Sequence, residues 1–352
     1  MNTERFQTVA GKYSRLRIAL VGDFCLDRYL EIDPARNEVS IETSLAVRNV
    51  VNIRSQPGGA GTILNNLVAL GIGEIYPVGF AGDDGEGFEL IRALRIKPGV
   101  RLDHFVQTPD RHTFTYTKPL VLEAGQPPQE LNRLDIKNWM PTPANISEIF
   151  CRSIDALAAF VDAIIVLDQV DVPDTGVVTP RVLEILGRIA HARPGLLIIA
   201  DSRRGLRDFP AVTFKMNAAE LARMSDASEA ATIESIAAQA SALARKNARR
   251  VFVTLAENGI LGASPDGNFE HVPTFPVRGE IDIVGAGDSV TANLAASLAA
   301  GASLRESLEI ANAAASIVIH QLGTTGTATV AEIGGLLASA SAMTAHSQPN
   351  GK

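Results

Sequence analysis

The sequence predicts an α/β fold: an open, mostly parallel β-sheet with helices on both sides, and a small second β-sheet set against it. Three observations carry this. Short, almost continuously apolar runs rich in β-branched residues recur along the chain, the pattern of strands covered on both faces. Most are followed by Gly, Asp or Asn and then by a helical pattern, the alternation of a parallel sheet. Two stretches of polar alternation interrupt it.

The first strand is RIALVGD (17–23). The others are EIYPVGFAG (74–82), DAIIVLD (162–168), GLLIIAD (195–201) and RVFVTLA (250–256). Helical patterns run over 60–70, 87–94, 180–192, 230–246, 287–300 and 304–321. GQPPQE (125–130) and MPTPAN (140–145) read as loops by their prolines. The interrupting stretches, 28–56 and 101–135, read as one excursion from the main sheet, a lid. Surface hairpins without a role are the alternative. Residues 1–335 are expected to form a single domain, with 336–352 a short helix end and a flexible tail.

The 352 residues are 46% hydrophobic and 20% charged, an ordinary globular composition. A net charge of −7 argues against non-specific nucleic-acid binding, which needs a basic face. Cys25 and Cys151 are the only cysteines and have no metal-ligand spacing, so a reduced, cytoplasmic setting is expected. No apolar run of the length of a membrane span occurs, and the N-terminus does not read as a signal peptide.

Ligands of open α/β sheets sit beyond the carboxyl ends of the strands, and the candidate site residues gather there. In DIVGAGD (282–288), Gly285, Ala286 and Gly287 open a helix, whose unpaired N–H groups and positive end suit a phosphate. A plain tight turn is the alternative. Asp288 follows, either a capping charge or a general base for a hydroxyl that attacks phosphorus. No Walker GxxxxGK[ST] occurs. Gly58 and Gly59 precede a helix carrying Asn66, fitting close approach of a ligand or a flexible entry. Asp23 and Asp27 follow the first strand and could accept hydrogen bonds from vicinal sugar hydroxyls, although Asp27 could instead pair with Arg28. Asn217 and Glu220 have capping-box spacing. Alternatively they support Mg²⁺ through water, with Lys215 near phosphate.

Together these pieces resemble the ribokinase-like, or PfkB, family of carbohydrate kinases over about residues 16–330. PGGAGTILNN resembles the family's di-glycine segment, and GFAGDDGEG (79–87) its G-x-x-G-x-D-x-x-G pattern. NAAE matches N-x-x-E. TLAENG resembles T-L-G-x-x-G, with Ala256 where Gly is usual. DIVGAGD resembles D-T-x-G-A-G-D, with Ile283 where Thr is usual. Within the family, VGDFCLDRY, NRLD and the stretch around 299–324 are most similar to kinases of D-glycero-D-manno-heptose 7-phosphate. VSIET lacks the prolines of that group's S-P-E-A-P segment. Thr62 replaces an Asn, and Lys118 lacks a nearby Arg.

The resemblance implies a three-layer α/β/α domain with a β-lid that pairs two subunits, and an enzyme using ATP and Mg²⁺ on a sugar or sugar phosphate. It implies that Asp288 is the base and that Gly285, Ala286 and Gly287 form the anion hole. Asp23, Asp27, Gly58, Gly59, Asn66 and Arg133 would hold the sugar. Lys215, Asn217 and Glu220 would serve phosphate and Mg²⁺. Thr254, Gly259 and Asn312 would line the nucleotide, and a K⁺ ion would sit near Asp282 and LGTTG (322–326). A nucleotidylyltransferase half, fused to some heptose kinases, is not expected here. A sugar or nucleotide sensor on the same fold is the rival reading, although it need not retain the base. A nicotinamide-dependent dehydrogenase would place G-x-G-x-x-G after the first strand, where VGDFCLDRY stands.

Overall fold

The computed structural model describes residues 1–226 and 232–346. The first strands are β1 (Arg17–Gly22), β2 (Phe24–Ile32), β3 (Glu38–Val39), β4 (Ala46–Val47) and β5 (Val50–Gly59). Next come β6 (Glu74–Gly82), β7 (Phe105–Thr108), β8 (Phe114–Val121), β9 (Gln129–Glu130) and β10 (Leu134–Ile136). The last are β11 (Ala163–Asp168), β12 (Leu197–Ser202), β13 (Thr213–Asn217), β14 (Val251–Thr254), β15 (Ile260–Ala263) and β16 (Phe269–Val272).

Among the described residues the main sheet has the order β16-β15-β14-β13-β12-β11-β1-β6-β7. It is parallel from β14 to β7, and β15 and β16 close one edge antiparallel. Its strands read as apolar runs because each face has its own core. On β1, Ile18 and Leu20 enter one hydrophobic cluster, with the helices Ala60–Ala69, Ala286–Ala299 and Leu304–Val318. Ala19 and Val21 enter the other, with Ala144–Ala158, Pro180–Ala192 and Ile233–Asn247. Residues i and i+1 of a strand face opposite ways, so two covered faces demand apolar residues at almost every position. Each fully buried aliphatic side chain contributes about 1.5–3 kcal/mol.

The lid is a second sheet, β10-β8-β2-β5, with β9 on β8. β2 leaves the carboxyl end of β1 after a single residue, Asp23, so the lid stands directly over the strand ends. β2 runs antiparallel to β5 and parallel to β8.

The helices expected at 60–70, 87–94, 180–192, 287–300 and 304–321 form with ends shifted by no more than three residues. The one expected over 230–246 runs Ile233–Asn247, and residues 230 and 231 lie outside the described residues. Three differences have physical reasons. The stretch 101–135 does not belong wholly to the lid: β7 pairs with β6 in the main sheet, where Phe105 packs edge-on against Phe24, ring centroids 5.3 Å apart. The helix Ala144–Ala158 starts within MPTPAN and buries Ile146, Phe150, Ile154 and Leu157 on one face, a stripe hidden behind the proline signal. The short helix end expected from 336 is longer than that: the helix runs Val330–His346 and carries Leu337 into the core beside Ile333. Residues 347–352 of the expected tail lie outside the described residues.

Candidate active site

A pocket of about 230 Å³ opens between the lid and the carboxyl ends of the main sheet. Its wall includes Asp23, Asp27 and Asp288, three cationic side chains (Lys118, Arg133 and Arg203), Gly59, Gly285 and Thr325.

The helix Ala286–Ala299 begins at the pocket floor. Gly285 caps it with φ +83°, a left-handed conformation that favours glycine. The Ala286 N–H is spent on the Ile283 carbonyl at 3.2 Å, and the helical ladder resumes with Ser289 N to the Gly285 carbonyl at 2.9 Å. The N–H groups between them, on Gly287 and Asp288, are those a helix start leaves for a ligand. The Lys215 ammonium lies beside this turn: a Cβ added at Gly287 would come within 3.2 Å of Nζ. Lys215 is buried, and its Nζ donates to Asp201 Oδ2 at 2.7 Å. Burial opposes its charge, but Asp201, Asp288 and Glu220 outweigh that and hold its pKa above the ordinary lysine value. The ammonium is therefore a fixed positive charge.

Asp288 belongs to the first turn of this helix and lines the pocket. Burial, with help from Asp201 and Asp27 and against Lys215 and Arg203, pushes its carboxyl up to about 7. A carboxyl poised there suits general-base work near neutral pH.

Asp23 reaches a similar value, about 7, through burial and then repulsion from Asp168. Its oxygens are already engaged: Oδ1 accepts from Val177 N at 2.7 Å and Oδ2 from Gln169 N at 2.8 Å. Asp27 does not pair with Arg28, which binds Glu86 and Glu89 of the helix Gly85–Arg95. Burial raises the Asp27 pKa against the pull of Lys118 and Arg133. Gly58 backs directly onto Asp27: a Cβ there would meet Oδ2 at 2.3 Å, so glycine is what lets the carboxylate lie flat against β5.

The remaining candidates divide. Arg133 lines the pocket, clamped on Asp135 at 2.7 and 2.9 Å and lying over the Tyr116 ring. Asn66 is fully buried and donates to the Thr62 and Gly326 carbonyls at 3.0 and 3.4 Å. Asn217 and Glu220 form a closed capping box, and Asn217 pairs with Thr254 at the adjoining ends of β13 and β14. The Gly259 carbonyl accepts from Leu255 N at 2.8 Å, and Asn312 donates to the Pro273 carbonyl at 2.6 Å. Neither borders the pocket. Asp282 accepts from Val284 N at 3.0 Å and Gly323 N at 3.2 Å. Sequence reasoning did not single out Asp201 and Arg203. Asp201 ends the run GLLIIAD, so strand-end position was a usable signal for it.

Comparison with known proteins agrees with this geometry. Residues 198–330 match the model of the pfkB family carbohydrate kinases. The chain is 32% identical to the bifunctional protein HldE of Azorhizobium caulinodans over 87% of its own length, and 30% identical to that of Pelobacter propionicus over 90%. It spans only 61% and 63% of those relatives. Among solved structures it resembles an Arabidopsis thaliana ribokinase complexed with ribose and ATP (TM-score 0.66, 21% identity, covering 92% of this chain and 98% of that one). It also resembles Escherichia coli phosphofructokinase-2 in complex with potassium (TM-score 0.70, 19% identity, 93% and 99%). Residues 198–330 therefore match the pfkB family carbohydrate kinases, and the chain has a ribokinase-like fold.

Proposed function

We propose that the protein is an ATP-dependent sugar kinase. The observation that carries this is the pocket floor, where the Asp288 carboxyl, poised at about 7, lines the pocket beside a glycine-started helix and a buried, charged Lys215. Asp288 takes the proton of the acceptor hydroxyl. The hydroxyl oxygen forms its bond to the γ-phosphorus, the bond to the β–γ bridging oxygen breaks, and ADP leaves with that electron pair. The N–H groups of Gly287 and Asp288, with Lys215, face the transferring oxygens and stabilise their charge. Mg²⁺, when bound with ATP, neutralises phosphate charge, and Glu220 and Asn217 stand next to Lys215 at the end of β13 to support it.

Asp27 is the carboxylate for the sugar hydroxyls, while Asp23 anchors the loop after β11. Lys118, Arg133 and Arg203 at one pocket favour an acceptor that already carries a phosphate. With the similarity to HldE, heptose 7-phosphate is the first candidate. Asp282 holds the Val284 and Gly323 N–H groups, one on each carboxylate oxygen, which leaves lone pairs for a K⁺ ion beside the loop 322–326. The lid bears exposed Val51, Ile53 and Leu134; a homodimer through the lid would cover them. The two cysteines are buried and free, in keeping with a cytoplasmic setting.

The test is ADP release with heptose 7-phosphate, fructose phosphates, ribose and nucleosides. Turnover of a sugar phosphate above the neutral sugars supports the reading. Preference for a neutral sugar overturns the phosphorylated acceptor, and binding without ADP release overturns the kinase.

A further inference from the structure

Three places in this molecule meet at one side chain. Gln56 lies on lid strand β5, directly across from Asp27 on β2. It uses both ends of its amide on the loop that follows the helix Leu304–Val318: Nε2 donates to Thr325 Oγ1 at 2.8 Å, and Oε1 accepts from Thr324 Oγ1 at 3.2 Å. Thr325 in turn walls the anion-binding turn, since a Cβ at Gly285 would lie 3.3 Å from Thr325 Cβ. Asp282, three residues before Gly285, holds the same loop through Gly323 N at 3.2 Å. The loop is thus gripped from the lid on one side and from the anion-binding turn on the other.

We propose that Gln56 is a positioning residue that links the seating of the lid to the geometry of the turn at 285–288. It touches no reacting atom. The strand bearing Gln56 is paired with the strand bearing Asp27, so a lid displaced from the sugar pulls on Thr324 and Thr325 and loosens the wall behind Gly285. A seated lid presses the loop against the turn and holds the Gly287 and Asp288 N–H groups in register with the phosphoryl group. The inference rests on the kinase reading for its catalytic consequence, but the mechanical link it names belongs to the ligand-free protein.

Two measurements on the full chain test it. In the first, amide hydrogen exchange is followed in the ligand-free protein. Gln56→Ala should speed exchange over 282–288 and 322–327 about tenfold and leave β1, β11 and β12 unchanged. In the second, steady-state kinetics use whichever acceptor the wild-type protein turns over. Small misplacements of reacting groups cost up to about a hundredfold in rate, so Gln56→Ala should lower kcat about 10- to 100-fold, with KM for the acceptor within about threefold. Gln56→Glu offers two acceptor oxygens to the two threonine hydroxyls and should restore most of kcat. Thr325→Val should reproduce the alanine defect, and its combination with Gln56→Ala should add little. Unchanged exchange at 282–288 in Gln56→Ala overturns the link. So does an unchanged kcat, or a loss of kcat that Gln56→Glu does not relieve. A wild-type protein that turns over no sugar defeats the kinase reading alone, because the exchange measurement still decides the link.

Discussion

Asp23 and Asp288 are two carboxyls of one pocket, both pushed to about 7 and both chiefly by burial, yet they are placed for different tasks. Asp23 sits at the end of β1, where its two oxygens take the Gln169 and Val177 N–H groups and tie down the loop after β11. Asp288 sits at a helix start with Gly285 before it, Lys215 beside it and the pocket in front of it. Similar pKa values arise from one cause, loss of water. What distinguishes a base from an anchor is therefore which oxygens are left for a substrate.

The strongest way to break this comparison is Asp288→Asn. Loss of a general base costs about 10² to 10⁴ in rate, so kcat should fall at least about a hundredfold while nucleotide still binds. Stability should not suffer. The folded carboxyl at about 7 lies above its unfolded value of about 3.9, so its contribution is full below that unfolded value and is lost as pH rises through 7. A neutral amide escapes that loss, and thermal melts at pH 8 should place Asp288→Asn at or above the wild type. Near-normal turnover in this variant would remove Asp288 from the role.

The pH profile sharpens the same point. If Asp288 must be ionised to accept the proton, kcat/KM for the acceptor, which follows the free protein, should decline about tenfold per pH unit below about 7. A profile flat from pH 8 to 5 would contradict it. Glu220 gives a smaller effect. Gln can serve at this position of a capping box, so Glu220→Gln should keep the helix Ala218–Met224 and its stability. Loss of the charge should raise the Mg²⁺ concentration needed for half-maximal turnover about tenfold. An unchanged Mg²⁺ titration would reduce Glu220 to its cap.

Much of this architecture is legible in the chain because parallel strands with two covered faces are apolar at almost every position, as in RIALVG and AIIVLD, whose polar residues stand only at the strand ends. The di-glycine segment and GAGD were legible because they need backbone that other residues cannot supply. Side-chain commitments were not. That Asn66 reaches the Gly326 carbonyl and that Gln56 spans to Thr324 and Thr325 depend on segments far apart in sequence. The helix Ala144–Ala158 was masked for a local reason: its first turn overlaps a proline-rich loop signal, while its apolar stripe appears only further on.

Asp23→Asn carries the smallest catalytic effect and the most informative one for the comparison. An amide offers one acceptor where the carboxylate offers two, so either Gln169 N–H or Val177 N–H would face an NH₂ group. A buried donor left unsatisfied costs about 1–3 kcal/mol, which should appear as a lower unfolding midpoint in urea with an unchanged slope. If Asp23 serves only as that anchor, turnover should stay within about threefold. The two aspartates then separate cleanly, one moving stability with little effect on rate and the other moving rate with little effect on stability. A large kcat loss in Asp23→Asn at unchanged stability would reverse that assignment and make Asp23 the residue that meets the acceptor.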